Sequence, residues 1–176
     1  IKNLKYEKII AYFPGSTIGN FDPGFARTFL ENTANLIGSE GGMLIGVDLK
    51  KNSEVLEAAY NDRQGVTAAF NKNILSHINR ELDANFDSDG FTHKAIYNSG
   101  KGRIEMHLVS RFEQQVKLGD ERIEFEKGES IHTENSYKYS LQEFKELVSP
   151  WFRVEKVWTD ENKYFSVQYL KTMLEN

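Results

Sequence analysis

The chain has 176 residues, 39% hydrophobic and 12% aromatic, enough apolar material for one domain or one domain with an inserted lobe, and too much for a disordered chain. It has no cysteine, which excludes a disulfide framework, a thiolate zinc site and a cysteine nucleophile. A net charge of -4 gives nucleic-acid binding no support, no apolar run is long enough to span a bilayer, and residues 1–8 carry no signal-like core, so the expectation is a cytoplasmic globular protein.

Residues 6–13 read as a strand, because Ile9, Ile10, Ala11, Tyr12 and Phe13 form a run apolar on both faces, as a buried parallel strand requires. Pro14-Gly15-Ser16-Thr17 stops it. Asp22 is placed to cap a helix with Pro23 at its first position. Phe25, Phe29, Leu30 and Leu36 give that helix its stripe to about Ile37, and Gly38 with Gly41-Gly42 closes it. Met43-Leu44-Ile45-Gly46-Val47 is a second apolar strand, ending in Asp48. Strand, helix, strand with short loops makes a right-handed crossover and a parallel sheet. Residues 53–60 and 65–82 read as helices, the second with Val66, Ala69, Phe70, Ile74, Ile78 and Leu82 near helical spacing. From Phe91 to Glu126 the period-two alternation predicts antiparallel strands, with turns at Gly100 to Gly102 and at Gly119-Asp120. Ser140 caps a helix from Leu141 to Val148, with Glu143 in the reciprocal position of a capping box. Pro150 ends it, and residues 152–158 and 164–170 make a final hairpin-like pair. Residues 1–50 and 140–176 are expected to share one sheet, with residues 51–139 as an inserted lobe.

The most informative segment is Pro14-Gly15-Ser16-Thr17-Ile18-Gly19-Asn20. It stands at the carboxyl end of a predicted parallel strand, where open α/β sheets bind ligands. Its glycines permit close backbone approach, and Asn20 both donates and accepts. A plain glycine turn with Asn20 bonding locally accounts for it equally well. The Lys-Ser/Thr ending of a phosphate loop is absent. His132 to Tyr139 is a dense polar and aromatic run, which composition alone makes a solvated loop. On extended chain Glu134 and Ser136 point the same way, and together they suit a nitrogen heterocycle. Tyr60, at a helix end, is more often packing than ligand binding. His77, His93, His107 and His132 show no metal-ligand spacing, so each is expected to be structural or exposed, with no metal. Lys50-Lys51 reads as a solvated pair.

Taken together, six strings resemble one family: residues 14–20, 44–51, 58–62, 66–71, 103–108 and 131–139. They are similar, in register and order, to the histidine-specific Nα-methyltransferases of ergothioneine biosynthesis, which use S-adenosylmethionine to trimethylate the α-amine of histidine to hercynine. The resemblance implies an α/β chain, the C-terminal part of a Rossmann-like class I methyltransferase sheet with an inserted α+β substrate-binding lobe. It implies that Gly15 lies against the cofactor and that Asn20 orients the substrate's amino-acid end at the catalytic step. Tyr60 matches the carboxylate-binding tyrosine, Thr67 a nearby pocket residue, Met106 a pocket wall, and Glu134 with Ser136 the pair that reads the imidazole. Family members are about twice this length. The glycine-rich cofactor loop and further aromatic contacts are expected outside this chain, which by itself is expected to be inactive. It is also expected to pair with a second copy through strand 6–13. The rival expectations are a methyltransferase for another amine and a noncatalytic binding or assembly module.

Overall fold

The computed structural model describes residues 8–174. The described residues form two compact units: one takes those up to Lys51, Lys101–Arg103 and those from Ser136 on, the other Asn52–Gly100 and Ile104–Asn135. The α/β class read from the sequence holds.

The first unit is built on a four-stranded sheet. Its strands are β1 (Ile10–Phe13), β2 (Gly42–Asp48), β8 (Phe152–Thr159) and β9 (Phe165–Thr172), in the order β1-β2-β9-β8. β1 and β2 are parallel, while β9 runs antiparallel to both β2 and β8. The opening parallel pair and the closing hairpin therefore do share one sheet. Helix α1 (Pro23–Ile37) crosses between β1 and β2. Asp22 starts it by accepting the Phe25 amide at 2.9 Å. Gly38 ends it at a φ of 76°, where a side chain is strained. Helix α4 (Leu141–Val148) starts at the complete Ser140/Glu143 capping box.

The core of this unit joins Leu30 and Ala34 of α1, Met43, Ile45 and Val47 of β2, Phe144 and Val148 of α4, and Phe152 and Leu170. Burying each of the larger side chains stabilises the fold by about 1.5–3 kcal/mol. Two expectations need correction. Phe25 and Leu36 are 55% and 59% exposed, so the buried stripe of α1 is Ala26, Leu30, Ala34 and Ile37. β1 is not buried on both faces, since Ile10 and Tyr12 are 57% and 70% exposed. The described strand starts at Ile10, and the expected part before Lys8 lies outside the described residues.

The second unit carries helices α2 (Ser53–Tyr60) and α3 (Val66–Glu81). It also holds most of a three-stranded sheet of β3 (Phe91–Asn98), β4 (Arg103–Ser110) and β7 (Ser130–Tyr137), in the order β3-β4-β7. A separate antiparallel hairpin pairs β5 (Gln114–Leu118) with β6 (Glu121–Phe125). Its core has two clusters. Leu75, Phe86, Phe91, Leu108, Val116 and Phe125 form one; Leu56, Ala95, Ile104 and Met106 form the other. The helical spacing that marked Val66, Phe70, Ile74 and Leu82 marks an exposed face of α3; its buried residues are Asn71 and Leu75. The polar run from His132 is strand β7 and not a loop.

Candidate functional site

In the first unit the candidate residues gather at the carboxyl ends of β1 and β2. The chain leaves β1 through Pro14 and crosses β2 at Gly46. A Cβ on Gly46 would sit 1.8 Å from the Pro14 carbonyl oxygen, so only glycine admits this crossing. Ser16 then adopts a φ of 56°, unusual for a residue with a Cβ, while its Oγ accepts the Asp48 amide at 2.8 Å. Gly15, just before it, is exposed, and among the described residues a Cβ there would meet only Thr17 Oγ1, at 3.6 Å. A single 3-10 turn (Thr17–Asn20) follows, with Ile18 and Gly19 buried and Asn20 exposed. Gly19 lies against the end of β7: a Cβ on it would be 2.7 Å from the Tyr137 carbonyl and 3.6 Å from Ser136 Oγ. The turn that presents Asn20 thus packs beside Ser136.

Ser136 is itself fastened to the same loops. Its Oγ accepts from Lys138 Nζ at 2.8 Å. Lys138, 2% exposed, pairs with Asp48 Oδ2 at 2.7 Å, and Lys51 Nζ reaches Asp48 Oδ1 at 2.6 Å. Burying an ammonium is tolerable only with such a carboxylate partner. Lys51 also lies over the Tyr164 ring, 5.0 Å from its centroid, and Lys50 is bound to Glu143. The reading of Lys50-Lys51 as a solvated pair is therefore corrected. The Asp48–Lys138 pair has no signature in the sequence, because its partners stand 90 residues apart. Tyr139 is half-buried against the core of this unit. Burial, with the neighbouring Tyr137 and Glu143, pushes its phenol up to about 12.

In the second unit Tyr60 ends α2 and packs on the cluster that holds Met106, which is 3% exposed. The structure therefore brings these two candidates together. A directional chain of hydrogen bonds runs past them. His93 Nε2 donates to the Tyr60 carbonyl at 2.8 Å, so His93 Nδ1 carries a lone pair and accepts Asn71 Nδ2 at 2.9 Å. Asn71 Oδ1 lies 2.6 Å from Thr133 Oγ1, which also reaches the Met106 carbonyl at 3.0 Å. Asn71, 3% exposed, is the hub of this chain. The sequence reading missed it, since an asparagine inside a helix has no motif.

Glu134, next to Thr133, lines a pocket of 280 Å³ with Phe70, Asn71, Asn73, Ile74, His77 and Thr133. Thr67 stands on the first turn of α3, its amide held by Asp62 Oδ1 at 2.8 Å. That bond, a second from the Thr67 hydroxyl and the Val66 amide lower the Asp62 carboxyl to about 2. Gly15, Asn20 and Ser136 thus belong to the first unit, and Tyr60, Thr67, Met106 and Glu134 to the second.

An α/β sheet with an open glycine loop and an exposed asparagine at the carboxyl ends of parallel strands suits a nucleotide-type cosubstrate. The class is that of the S-adenosylmethionine-dependent methyltransferases: over residues 1–172 the chain matches the model of their histidine-specific family, and it belongs to that family. Two curated relatives, each named histidine N-alpha-methyltransferase, are similar. The one from Mycobacterium tuberculosis (strain CDC 1551 / Oshkosh) is 43% identical over 152 residues, 85% of this chain and 47% of the relative. The one from Mycolicibacterium smegmatis is 42% identical over 154 residues, 86% of this chain and 48% of the relative. The chain thus spans about half the length of these relatives. A solved S-adenosylmethionine-dependent methyltransferase from Clostridium acetobutylicum aligns at a TM-score of 0.48 and 9% identity, covering 96% of this chain and 61% of that one.

Proposed function

We propose that this chain serves an enzyme that methylates the α-amine of histidine. The observation that carries the reading is the family match across residues 1–172, joined to a glutamate on a pocket wall at the position where the family resemblance calls for an imidazole acceptor. S-adenosylmethionine, when bound, supplies an electrophilic methyl on its sulfonium. Gly15 fits such a group, because it is exposed and, among the described residues, a Cβ on it would meet nothing closer than Thr17 Oγ1. The reaction forms an N–C bond as the C–S bond breaks, and it needs a neutral amine aligned with the methyl.

Asn20 suits that task. Its amide oxygen takes an amine N–H and leaves the nitrogen lone pair to the methyl, and an amide adds no charge beside a cationic product. Tyr60 holds the substrate carboxylate, with Thr67 close by on α3. Glu134 accepts an imidazole N–H and Ser136 engages the other ring nitrogen, so side chains lacking a donor leave Glu134 unpaired. Met106 walls the ring with a soft apolar surface.

The test is the full-length protein carrying Glu134→Ala. A hydrogen bond to a charged acceptor contributes about 1.5–3 kcal/mol. The ratio of kcat/KM for histidine over that for an amino acid without imidazole should therefore fall by roughly ten- to a hundredfold. Equal losses on both substrates would remove Glu134 as the reader. Transfer to another amine, with none to histidine, would replace the substrate, and absence of any transfer would leave a binding module.

A further inference from the structure

Glu105, His107 and His132 form a group that the proposed methyl transfer does not use. All three belong to the second unit. Glu105 and His107 stand two apart on β4 and so share one face of the strand. His132 comes from β7, the neighbouring strand. One ligand atom from each lies within 4.8 Å of the other two. The imidazoles of His107 and His132 stack at 4.7 Å between centroids, 22° from parallel. No short sequence motif announces the group, because two adjacent strands contribute to it.

Two further features point to a ligand. Both ring nitrogens of His107 are buried, and among the described residues neither has a partner at hydrogen-bond distance. Its Nε2 faces Glu105 Oε2 at 3.6 Å, too far for a hydrogen bond. An imidazole always carries donor or acceptor capacity on each nitrogen, and native interiors seldom leave both unmet. The second feature is His132, whose Nε2 lies 3.2 Å from the Glu134 carbonyl. A carbonyl only accepts, so Nε2 holds the hydrogen and Nδ1 the lone pair. Such a bond to a backbone carbonyl is what sets the tautomer of ligating histidines. Glu105, 7% exposed, is likewise steadied, its Oε1 taking Asn98 Nδ2 at 3.2 Å.

We propose that Glu105, His107 and His132 bind one divalent transition-metal ion of the zinc type. Two imidazole nitrogens and a carboxylate oxygen suit zinc, cobalt, nickel or copper, and not magnesium or calcium, which take oxygen ligands. Three protein ligands leave a fourth position for water. His107 and Glu105 are held by their surroundings. His132 is exposed, and its ring tilts about the Nε2–Glu134 hydrogen bond to complete the set. The ion ties β4 to β7 two residues from Glu134. Methyl transfer from a sulfonium needs no metal, so the ion acts on the strand and not on the reaction, and the proposal stands whatever the substrate.

The test is metal titration of the untagged, chelator-treated 176-residue chain. Zinc is followed by calorimetry, and cobalt by the visible absorption of a nitrogen- and oxygen-coordinated ion. One equivalent should bind, magnesium should not compete, and zinc should raise the melting temperature. His132→Ala, an exposed change that spares the fold, should weaken binding by about tenfold or more. Glu105→Gln and His107→Ala should do the same, with circular dichroism confirming that each is folded, while His77→Ala leaves binding unchanged. Zinc bound equally well by a His107→Ala/His132→Ala double variant, or by neither protein, would overturn the site.

Discussion

Asp62 shows how a single side chain sets up the helix that carries a candidate ligand. Its Oδ2 accepts the Val66 amide at 2.9 Å and its Oδ1 the Thr67 amide at 2.8 Å. Gly65, the residue before the helix, has no side chain to do this. These bonds favour the carboxylate and bring Asp62 to about 2, below the roughly 3.9 of an unfolded aspartate. A depressed folded value means a contribution fully present above the unfolded value and lost as pH falls through about 2. Wild type should therefore melt above Asp62→Asn at pH 6, and the gap between them should close as the pH drops from about 4 toward 2. A gap that persisted unchanged at pH 2 would mean that Asp62 acts through something other than its charge.

At the scale of the element, α3 is held by one polar residue, Asn71, beside the apolar Leu75 and Ile78. The apolar positions that give it helical periodicity face outward, with Val66 at 63% and Phe70 at 65% exposed. The buried pair is Asn71 and Leu75. Asn71 connects α3 to His93 on β3, to the His107 carbonyl on β4 and to Thr133 on β7. Truncating it strands several buried polar groups, each at a cost of about 1–3 kcal/mol. Asn71→Ala should thus destabilise the protein by at least about 1–3 kcal/mol in urea unfolding, more than Phe70→Ala on the exposed face. The reverse order would mean that the outward face of α3 is covered in solution. Because Thr133 precedes Glu134, Asn71→Ala should also loosen the candidate imidazole reader.

For the whole molecule, the exposed strand β1 matters most. Among the described residues it is an edge of the four-stranded sheet, paired with β2 alone. Ile10 and Tyr12 are exposed, and among the described residues of this segment Lys8 is the charged one. An edge of this kind is a template for another strand. We propose that the 176-residue chain self-associates through β1, most simply as a two-fold dimer. Light scattering at tens of micromolar should show a dimer that Tyr12→Lys shifts toward monomer. A monomer unaffected by the substitution would mean that this edge is protected in another way.

Much of the backbone was legible in the sequence because its signals are local. Asp22 with Pro23, Gly38, and Ser140 with Glu143 mark helix ends through bonds within four residues, and both helices stand where those signals put them. The apolar run of β2 and the turns at Gly102 and Gly119 are local too. Six strings in register were enough for the family. The sequence could not choose which face of α3 is buried, because Val66, Phe70 and Ile74 satisfy helical spacing whether covered or not. Nor could it recognise the polar run around Glu134 as a strand, since β7 is held by pairing with β4 and not by its own composition. The Asp48–Lys138–Ser136 link, the Asn71 hub and the cluster of Glu105, His107 and His132 were likewise decided by tertiary structure alone. Each joins residues distant in the chain, and burial is what makes an unpaired charge or imidazole costly enough to demand its partner.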